Sequence, residues 1–325
     1  MNGLNALTAR LGLGAITAPP EPVSGGLLHR VWHVRTASGD WAVKALNPEI
    51  AARDGALENI ERGERVGAAL AEFVPAAPAL EVEGRRLHAL DGQWYAVYPW
   101  IDARAVFPPK ITAAHCAAIG DVLGRMHRAN PAVPDMAPEA DPPPSIDWQA
   151  LLGLAPAGAA WYNDLKAALP DLIAWTDASF RADALDADDL VLSHRDLDPK
   201  NVLWRGDAPV LIDWEAAGYV RPRRELLEVA LYWTDDGAGG LDAALCEALL
   251  KAYGRHMPLR GDWAPVLAAG RANALDWLAY NVRRASGQTS PDAAEIRRGE
   301  AEVEGTLAAL TEYGAKVEVL KRLLR

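Results

Sequence analysis

The sequence predicts an α+β fold made of two lobes, and three observations support this. Strand and turn signals fill about the first hundred residues, the proline-containing stretch 98–102 ends them, and helical periodicity dominates the remainder. We therefore expect a β-rich N-terminal lobe over residues 1–101, which binds a nucleotide, and a larger helical lobe over residues 102–325. Small ligands commonly bind in the cleft between two such lobes.

The N-terminal lobe is expected to contain two hairpins separated by a helix. Four strands rich in β-branched and aromatic residues are predicted, at residues 27–36, 41–46, 86–89 and 94–98. The second pair is joined across Asp91-Gly92, which is a typical hairpin turn. Between the pairs, residues 57–70 have apolar side chains at helical spacing, and prolines follow them.

The second lobe is expected to be mostly helical. Periodicity predicts helices at residues 111–127, 148–169, 170–182, 223–234, 241–256, 263–285 and 293–323. A proline-rich loop is predicted at residues 130–145. Short strands are expected at residues 191–204 and 210–212, on either side of Arg205-Gly206-Asp207.

Composition limits the kind of partner and compartment. The formal net charge is −11, whereas nucleic-acid binding relies on clustered Lys and Arg, so no nucleic-acid partner is expected. No apolar run is long enough for a signal peptide or a membrane span. Cys116 and Cys246 are far apart and lack metal-type spacing, which indicates reduced thiols. We expect a cytoplasmic monomer or homodimer with no membrane partner.

The most specific feature is the stretch His194-Arg195-Asp196-Leu197-Asp198-Pro199-Lys200-Asn201, followed twelve residues later by Asp213. Asp196 is placed to orient a substrate hydroxyl and accept its proton. Asn201 and Asp213 provide the hard oxygen ligands that Mg²⁺ prefers when it binds nucleotide phosphates. His194 is expected to orient the loop by hydrogen bonding and not to act as the base. The spacing predicts phosphoryl transfer from ATP, with Asp196 as base.

Upstream features complete a nucleotide site in the required order. Gly25-Gly26 lets the backbone approach phosphates, although a lone glycine pair is more often a simple turn. Lys44 lies in Trp-Ala-Val-Lys, which resembles the Val-Ala-Ile-Lys element whose lysine holds the α and β phosphates. The acid that would pair with this lysine is expected on the following helix. Glu64 is preferred there, and Glu61 and Glu58 remain open.

Together these motifs resemble the aminoglycoside phosphotransferase family over about residues 23–236. This family belongs to the protein-kinase-like superfamily and phosphorylates small molecules. The resemblance implies a bilobal protein-kinase-like fold, with ATP and Mg²⁺ as cofactors. It also implies that residues 98–101 join the lobes and offer backbone hydrogen bonds to adenine, which places Tyr98, Trp100 and Ile101 in the nucleotide site.

The chain departs from the family pattern at Arg195, where Gly is usual and where protein kinases have Arg. It also departs at Asp198-Pro199 and Trp214-Glu215. A protein kinase needs a long activation segment that ends in Ala-Pro-Glu, yet a helix is expected to begin near residue 223, and the sole Ala-Pro-Glu lies upstream, at residues 137–139. A small-molecule acceptor is therefore favoured over a protein. A non-catalytic nucleotide-binding scaffold would normally have lost a motif residue, and none is missing.

The acceptor is the least defined part of this prediction. Acidic residues downstream of the loop favour a cationic acceptor, such as an aminoglycoside-like antibiotic or another amino-bearing alcohol. Glu215 and Asp235 are preferred among them, because one adjoins the metal-binding Asp and the other follows the next helix. A metabolite kinase for choline, homoserine or a sugar stays open. So do a resistance or a metabolic role and the choice between ATP and GTP.

Overall fold

A computed structural model describes residues 2–23, 29–139, 145–183 and 189–324. The Gly25-Gly26 loop predicted to cover the phosphates lies outside these described residues. The first part of the chain forms α1 (Asn2–Arg10), β1 (Glu21–Val23), β2 (Arg30–Thr36), β3 (Gly39–Ala45), α2 (Pro48–Ala51), α3 (Ala56–Leu70), β4 (Leu87–Leu90) and β5 (Gln93–Pro99).

These strands form one antiparallel sheet in the order β1-β2-β3-β5-β4. Successive residues of a strand point to opposite faces, so Ala96 and Val97 of β5 face different helices. Val97 joins a cluster with residues of α1, and Ala96 joins a cluster that contains Ile60 of α3. Lys44 lies directly opposite Ala96, which turns it toward the face that α3 covers.

The sequence analysis did not predict α1 or β1. The residues at 7, 11 and 13 are buried leucines that pack on Val34 and Val43 of the sheet. This segment is too short to show helical periodicity, and its burial depends on a sheet formed by later residues. The four strands and the helix that were predicted here are present, with ends shifted by a few residues.

The remainder forms a helical lobe with two small sheets. Its elements are β6 (Arg104–Ala105), α4 (Ala113–Ala129), α5 (Trp148–Leu152), α6 (Tyr162–Asp183), β7 (Val191–Ser193), β8 (Val202–Arg205), β9 (Ala208–Leu211), β10 (Gly218–Val220), α7 (Pro222–Trp233), α8 (Ala243–Tyr253), α9 (Ala264–Ala269), α10 (Ala272–Ala285) and α11 (Ala293–Leu323). The sheets pair β10 with β7 and β6 with β8 and β9. The predicted α+β class is confirmed.

Three helix boundaries differ from the prediction. The helix expected at residues 148–169 ends at Leu152, where a glycine- and proline-containing segment follows. Pro170 does not separate two helices, because α6 runs through it. Pro170 and Lys166 are both exposed, so the carbonyl left without a helical donor faces water. The helix expected at residues 263–285 is interrupted at Gly270.

Both cysteines are buried free thiols, as expected. Cys246 Sγ lies 2.9 Å from the Thr234 hydroxyl, and Cys116 Sγ lies 3.5 Å from the Trp233 carbonyl. No helix within the described ranges combines the length and the apolar character needed to cross a membrane.

The two lobes meet where α3 packs on the short 3-10 turn Trp214–Ala216. The turn fits closely because α3 has glycines at positions 63 and 67. A Cβ atom on Gly63 would lie 2.2 Å from the Trp214 carbonyl oxygen, and one on Gly67 would lie 2.6 Å from the indole ring. Trp214 is fully buried. This contact sets the distance between α3 and the turn Trp214–Ala216.

Replacing Gly63 tests this contact. We expect Gly63→Ala to lower the free energy of unfolding by about 1–3 kcal/mol, because the added methyl group overpacks the helix against backbone. The matched control is Gly305→Ala on α11, where an added Cβ meets nothing within 4 Å. That change should raise stability by about 0.5–1 kcal/mol through helix propensity alone. Urea unfolding of both variants measures the difference, and equal stabilisation of both would contradict the close packing.

Candidate active site

The predicted catalytic loop connects β7 to β8 and is folded by its own side chains. The 3-10 turn Pro199–Asn201 is capped by Asp198, whose carboxylate accepts the Lys200 N–H at 2.8 Å. The Asn201 side-chain amide donates to both the backbone carbonyl and the Oδ2 atom of Asp196, each at 2.8 Å. Burial raises the pKa of Asp196, although the charge of Lys200, 3.3 Å from Oδ1, opposes the shift. The Asp196 carboxylate is therefore held in place and made more basic.

His194 is fully buried, and both of its ring nitrogens are occupied. Nε2 donates to the Ile212 carbonyl at 2.9 Å, and Nδ1 accepts the Asp196 N–H at 3.3 Å. This pattern is that of a neutral imidazole. It ties the start of the loop to the residue before Asp213, and it leaves no nitrogen for a substrate. The geometry supports the positioning role predicted for His194, which stays a prediction.

Arg195 has a left-handed backbone, with φ of 64°. Its N–H donates at 2.7 Å to Glu225, a buried residue of α7 that also lies 2.7 Å from His127 Nε2. Although burial opposes ionisation, hydrogen bonds from His127, Ser193 and the Arg195 N–H hold the pKa of Glu225 below its usual value. A left-handed residue explains why the resembled family usually has Gly here. Sequence reasoning did not find His127 or assign Glu225 to this anchor.

Lys44 of β3 lies between two carboxylates of the other lobe. Its Nζ atom is 2.7 Å from Asp213 Oδ1 and 3.1 Å from Glu215 Oε2. Burial disfavours the ammonium, but the charges of these two acids outweigh it and raise the pKa of Lys44. Despite partial burial, contact with His29 and Lys44 lowers the pKa of Glu215 to about 2. Glu215 was predicted to bind the substrate; in the structure it contacts Lys44 and His29, and its substrate role stays a prediction.

The predicted pairing of Lys44 with Glu64 is not the one in this structure. Glu64 is fully buried, and its carboxylate accepts the Ala79 N–H and the Tyr98 hydroxyl, both at 2.7 Å. Burial raises the pKa of Glu64 to about 7, while the charge of Lys44 opposes the shift. Lys44 is held by Asp213 and Glu215, so Glu64 is left as a close neighbour.

The other two glutamates that the sequence left as candidate partners of Lys44 lie in different surroundings. Glu61 accepts the N–H groups of Arg86 and Leu87, each at 2.9 Å, and so supports the start of β4. Glu58 is exposed to solvent. Of the three glutamates, Glu64 is the one whose pKa responds to the charge of Lys44.

The segment expected to hold adenine lies at the end of β5. The Trp100 ring stacks on His33, with centroids 3.8 Å apart and planes 10° from parallel. The Trp100 N–H donates to the Asp40 carbonyl, and the Ile101 carbonyl accepts from Ala103, each at 2.9 Å. These two backbone groups are already bonded within the protein. The role of the segment in adenine binding stays a prediction.

A cavity of about 470 Å³ opens beside the catalytic loop. Its wall includes Arg195, the inner face of α7, the α9–α10 junction and part of α11. Asp235, predicted to bind the substrate, lies on this wall and contacts Lys316. Burial raises the pKa of Glu228 on the same wall to about 7, and the charge of Asp196 contributes to the shift. Arg271 and Asn273 also line it, and the sequence showed no signal for either.

Residues 20–259 match the model of a family described as "Phosphotransferase enzyme family". A homoserine kinase of Rhodopseudomonas palustris (strain TIE-1) is 28% identical over 253 residues, which are 74% of this chain and 74% of that protein. A homoserine kinase of Gluconacetobacter diazotrophicus is 30% identical over 217 residues, which are 62% of this chain and 64% of that protein.

Solved structures are similar over nearly the whole chain. Spectinomycin phosphotransferase APH(9)-Ia, in complex with ADP and spectinomycin, matches with a TM-score of 0.71 at 15% identity, covering 97% of this chain and 98% of that one. A choline/ethanolamine kinase family protein from Mesorhizobium loti matches with a TM-score of 0.63 at 18% identity, covering 98% and 97%. The bilobal protein-kinase-like fold expected from the sequence is confirmed.

The anchor of the catalytic loop is testable by Glu225→Gln. The amide keeps the shape of the side chain but replaces one of its two acceptor oxygens with a donor. We expect unfolding by urea to show a loss of about 2–4 kcal/mol, because buried partners are left without their acceptor. The control Glu247→Gln, at an exposed position of α8, should stay within about 0.5 kcal/mol of the unchanged chain. A Glu225→Gln protein as stable as this control would show that the anchor contributes little.

Proposed function

This chain belongs to the phosphotransferase enzyme family, and we propose that it transfers the γ-phosphoryl group of ATP to a hydroxyl of a small, amino-bearing molecule with the help of Mg²⁺. The observation that carries this proposal is the position of Asp196. Its carboxylate is fixed by Asn201, and its chain neighbour Arg195 lines a cavity large enough for a small ligand. Family membership makes the chain a small-molecule kinase, and the roles of individual residues are our proposal.

The residues present fit a magnesium-bound nucleotide. Asn201 turns its Nδ2 atom toward Asp196, which leaves its Oδ1 atom for a cation, and Asp213 adds a carboxylate about one-third exposed. These two hard oxygen donors would hold Mg²⁺, which supplies charge neutralisation on the phosphate oxygens. Lys44, already charged and close to Asp213, is positioned to bind phosphate oxygens.

Asp196 would act on the acceptor. A hydroxyl bound in the cavity would donate a hydrogen bond to this carboxylate, whose raised pKa suits it to take the proton as the new oxygen–phosphorus bond forms. Asn201 and His194 would keep the carboxylate at a fixed angle. In this assignment the N-terminal lobe, residues 1–101, binds the nucleotide, and residues 102–325 bind the acceptor.

Homoserine is the acceptor to test first. The relatives that match 74% of this chain bear the name homoserine kinase. Homoserine is also an amino-bearing alcohol, the class that the acidic residues near the site favour. An aminoglycoside is the second candidate, since a spectinomycin phosphotransferase has the same fold over almost the whole chain. A panel of hydroxylated amines, with ADP release as the measurement, separates the two.

Removing the proposed base tests the mechanism. We expect Asp196→Ala to lower kcat by at least about 100-fold, the contribution of a positioned general base, while calorimetry still shows ATP binding. Asp207→Ala, at an exposed position of the β8–β9 turn, is the matched control and should keep its activity. Turnover of Asp196→Ala at the unchanged rate would rule out the assignment of this residue as base.

Nucleotide binding should release protons from Glu64. We propose that phosphates draw Lys44 away from Asp213 and Glu215 and that Glu64 then becomes its partner. A nearby ammonium lowers the pKa of a carboxyl group, and the pKa of Glu64 starts at about 7. At pH 7 the carboxyl is partly protonated, so lowering its pKa must release up to about half a proton.

Calorimetry of ATP analogue binding, in buffers with different ionisation enthalpies, measures this release. Glu64→Gln should abolish it, and Glu58→Gln should keep it, since Glu58 is exposed. Equal proton release from both variants, or net uptake by the unchanged chain, would refute the predicted pairing of Lys44 with Glu64.

A further inference from the structure

The cavity beside the catalytic loop contains charged groups of both signs, and most of them are balanced within the protein. Arg224 lies 2.7 Å from Asp183, and Lys316 contacts Asp235. Glu225 is balanced by His127. Two ionisable residues on the wall, Arg271 and Glu228, differ from these in having no ion-pair partner among the described residues.

Arg271 is held rigidly without an acidic partner. Its guanidinium lies between the rings of Trp175 and Tyr313, 4.5 Å from each centroid, and its Nε atom donates to the Leu310 carbonyl at 3.1 Å. Across the described ranges, no carboxylate reaches ion-pair distance of this side chain, and its two terminal nitrogens have no hydrogen-bond acceptor. An arginine fixed by aromatic rings loses little freedom when it binds a carboxylate through its planar edge.

Gly270 leaves the space that this arrangement needs. A Cβ atom there would lie 1.9 Å from the Tyr313 hydroxyl, which donates to the Leu267 carbonyl at 2.7 Å. Tyr313 therefore reaches the position under Arg271 only because residue 270 lacks a side chain.

Glu228 is the acidic group on the same wall; burial raises its pKa to about 7, and a bound ammonium would favour its carboxylate form. Its carboxylate accepts a hydrogen bond from the Tyr232 hydroxyl at 2.9 Å and another from Asn273. No Lys, Arg or His in the part of the chain that the structure describes lies within ion-pair distance of it, although Arg195 is close enough to sense its charge. Both donors are neutral groups, so they hold the Glu228 side chain on the cavity wall without balancing a negative charge there.

We propose that Arg271 and Glu228 bind the carboxylate and the ammonium of a zwitterionic acceptor, so that the substrate is an amino acid with a side-chain hydroxyl. The inference rests on the proposed function, because it assumes that this cavity holds the acceptor. A polycationic aminoglycoside would satisfy Glu228 but would meet the charge of Arg271 unfavourably. An amino acid balances both charges at once, and its hydroxyl lies at the end away from them, free to approach Asp196.

The test removes one charge of the acceptor at a time. Turnover with ATP and Mg²⁺ is measured for L-homoserine, for 3-aminopropan-1-ol, which lacks the carboxylate, and for 4-hydroxybutanoate, which lacks the ammonium. A hydrogen-bonded contact with a charged group contributes about 10- to 100-fold in kcat/KM. We expect each truncated acceptor to lose about that factor relative to L-homoserine.

Variants then assign each charge to its residue. Arg271→Gln should raise KM for L-homoserine about 10- to 100-fold and leave turnover of 3-aminopropan-1-ol little changed, because that molecule has no carboxylate to lose. Glu228→Gln should raise KM for L-homoserine by a similar factor. It should leave turnover of 4-hydroxybutanoate little changed, because that molecule has no ammonium to lose. Arg283→Gln and Glu247→Gln lie outside the cavity and are the matched controls. The comparison of acceptors needs no variant, so it decides the question even where one fails to fold.

The outcomes separate this inference from the proposed function. Turnover of an aminoglycoside together with no turnover of L-homoserine, L-serine or L-threonine would overturn the inference and leave the kinase assignment intact. If no acceptor is phosphorylated, the proposed function fails, and calorimetric binding of L-homoserine decides the inference. Binding that both variants weaken supports it, and absence of binding overturns it.

Discussion

The active site depends on two residues held in a left-handed backbone without being glycine. Arg195 and Asp213 have φ values of 64° and 65°, a conformation that costs about 1–2 kcal/mol for an L-residue. Buried hydrogen bonds hold the surrounding backbone: Glu225 accepts the Arg195 N–H, and His194 binds the carbonyl of the residue before Asp213. Asp196, the proposed base, and Asp213, the proposed metal ligand, therefore keep their positions because the helical lobe over-determines the loop that carries them.

Trp214 connects this loop to α3 and so to the part of the site that is proposed to bind the nucleotide. The indole packs under the glycine face of α3, and α3 carries Glu64 toward Lys44. Asp213 of the helical lobe and Lys44 of the N-terminal lobe come together where two glycines allow α3 to lie almost against the turn that follows Asp213. The ion pair of Lys44 with Asp213 joins residues 169 positions apart, so it links the sheet of one lobe to the loop of the other.

The sequence predicted the catalytic residues better than their surroundings. Local spacing was enough to propose Asp196, Asn201, Asp213 and Lys44, because phosphoryl transfer restricts residue types at short, fixed offsets, and the structure brings Asn201 to Asp196 and Lys44 to Asp213. The acceptor cavity was not predictable in this way. Arg271 gains its character from Trp175 and Tyr313, which belong to two distant helices. The same holds for α1, whose leucines are buried by strands that come later in the chain.

The proposed nucleotide site and the proposed acceptor site differ in their charge balance. On the nucleotide side Lys44 faces both Asp213 and Glu215, so this cluster is already net negative and would repel a bare triphosphate. A cation that accompanies the phosphates removes that repulsion, and it also frees Lys44 from its acidic partners. On the proposed acceptor side Arg271 and Glu228 have no ion-pair partner among the described residues, so a neutral zwitterion would pair with both and add no net charge near Asp196. The basicity of Asp196, the proposed base, would then be preserved, because a strongly cationic acceptor would lower the pKa of this carboxylate.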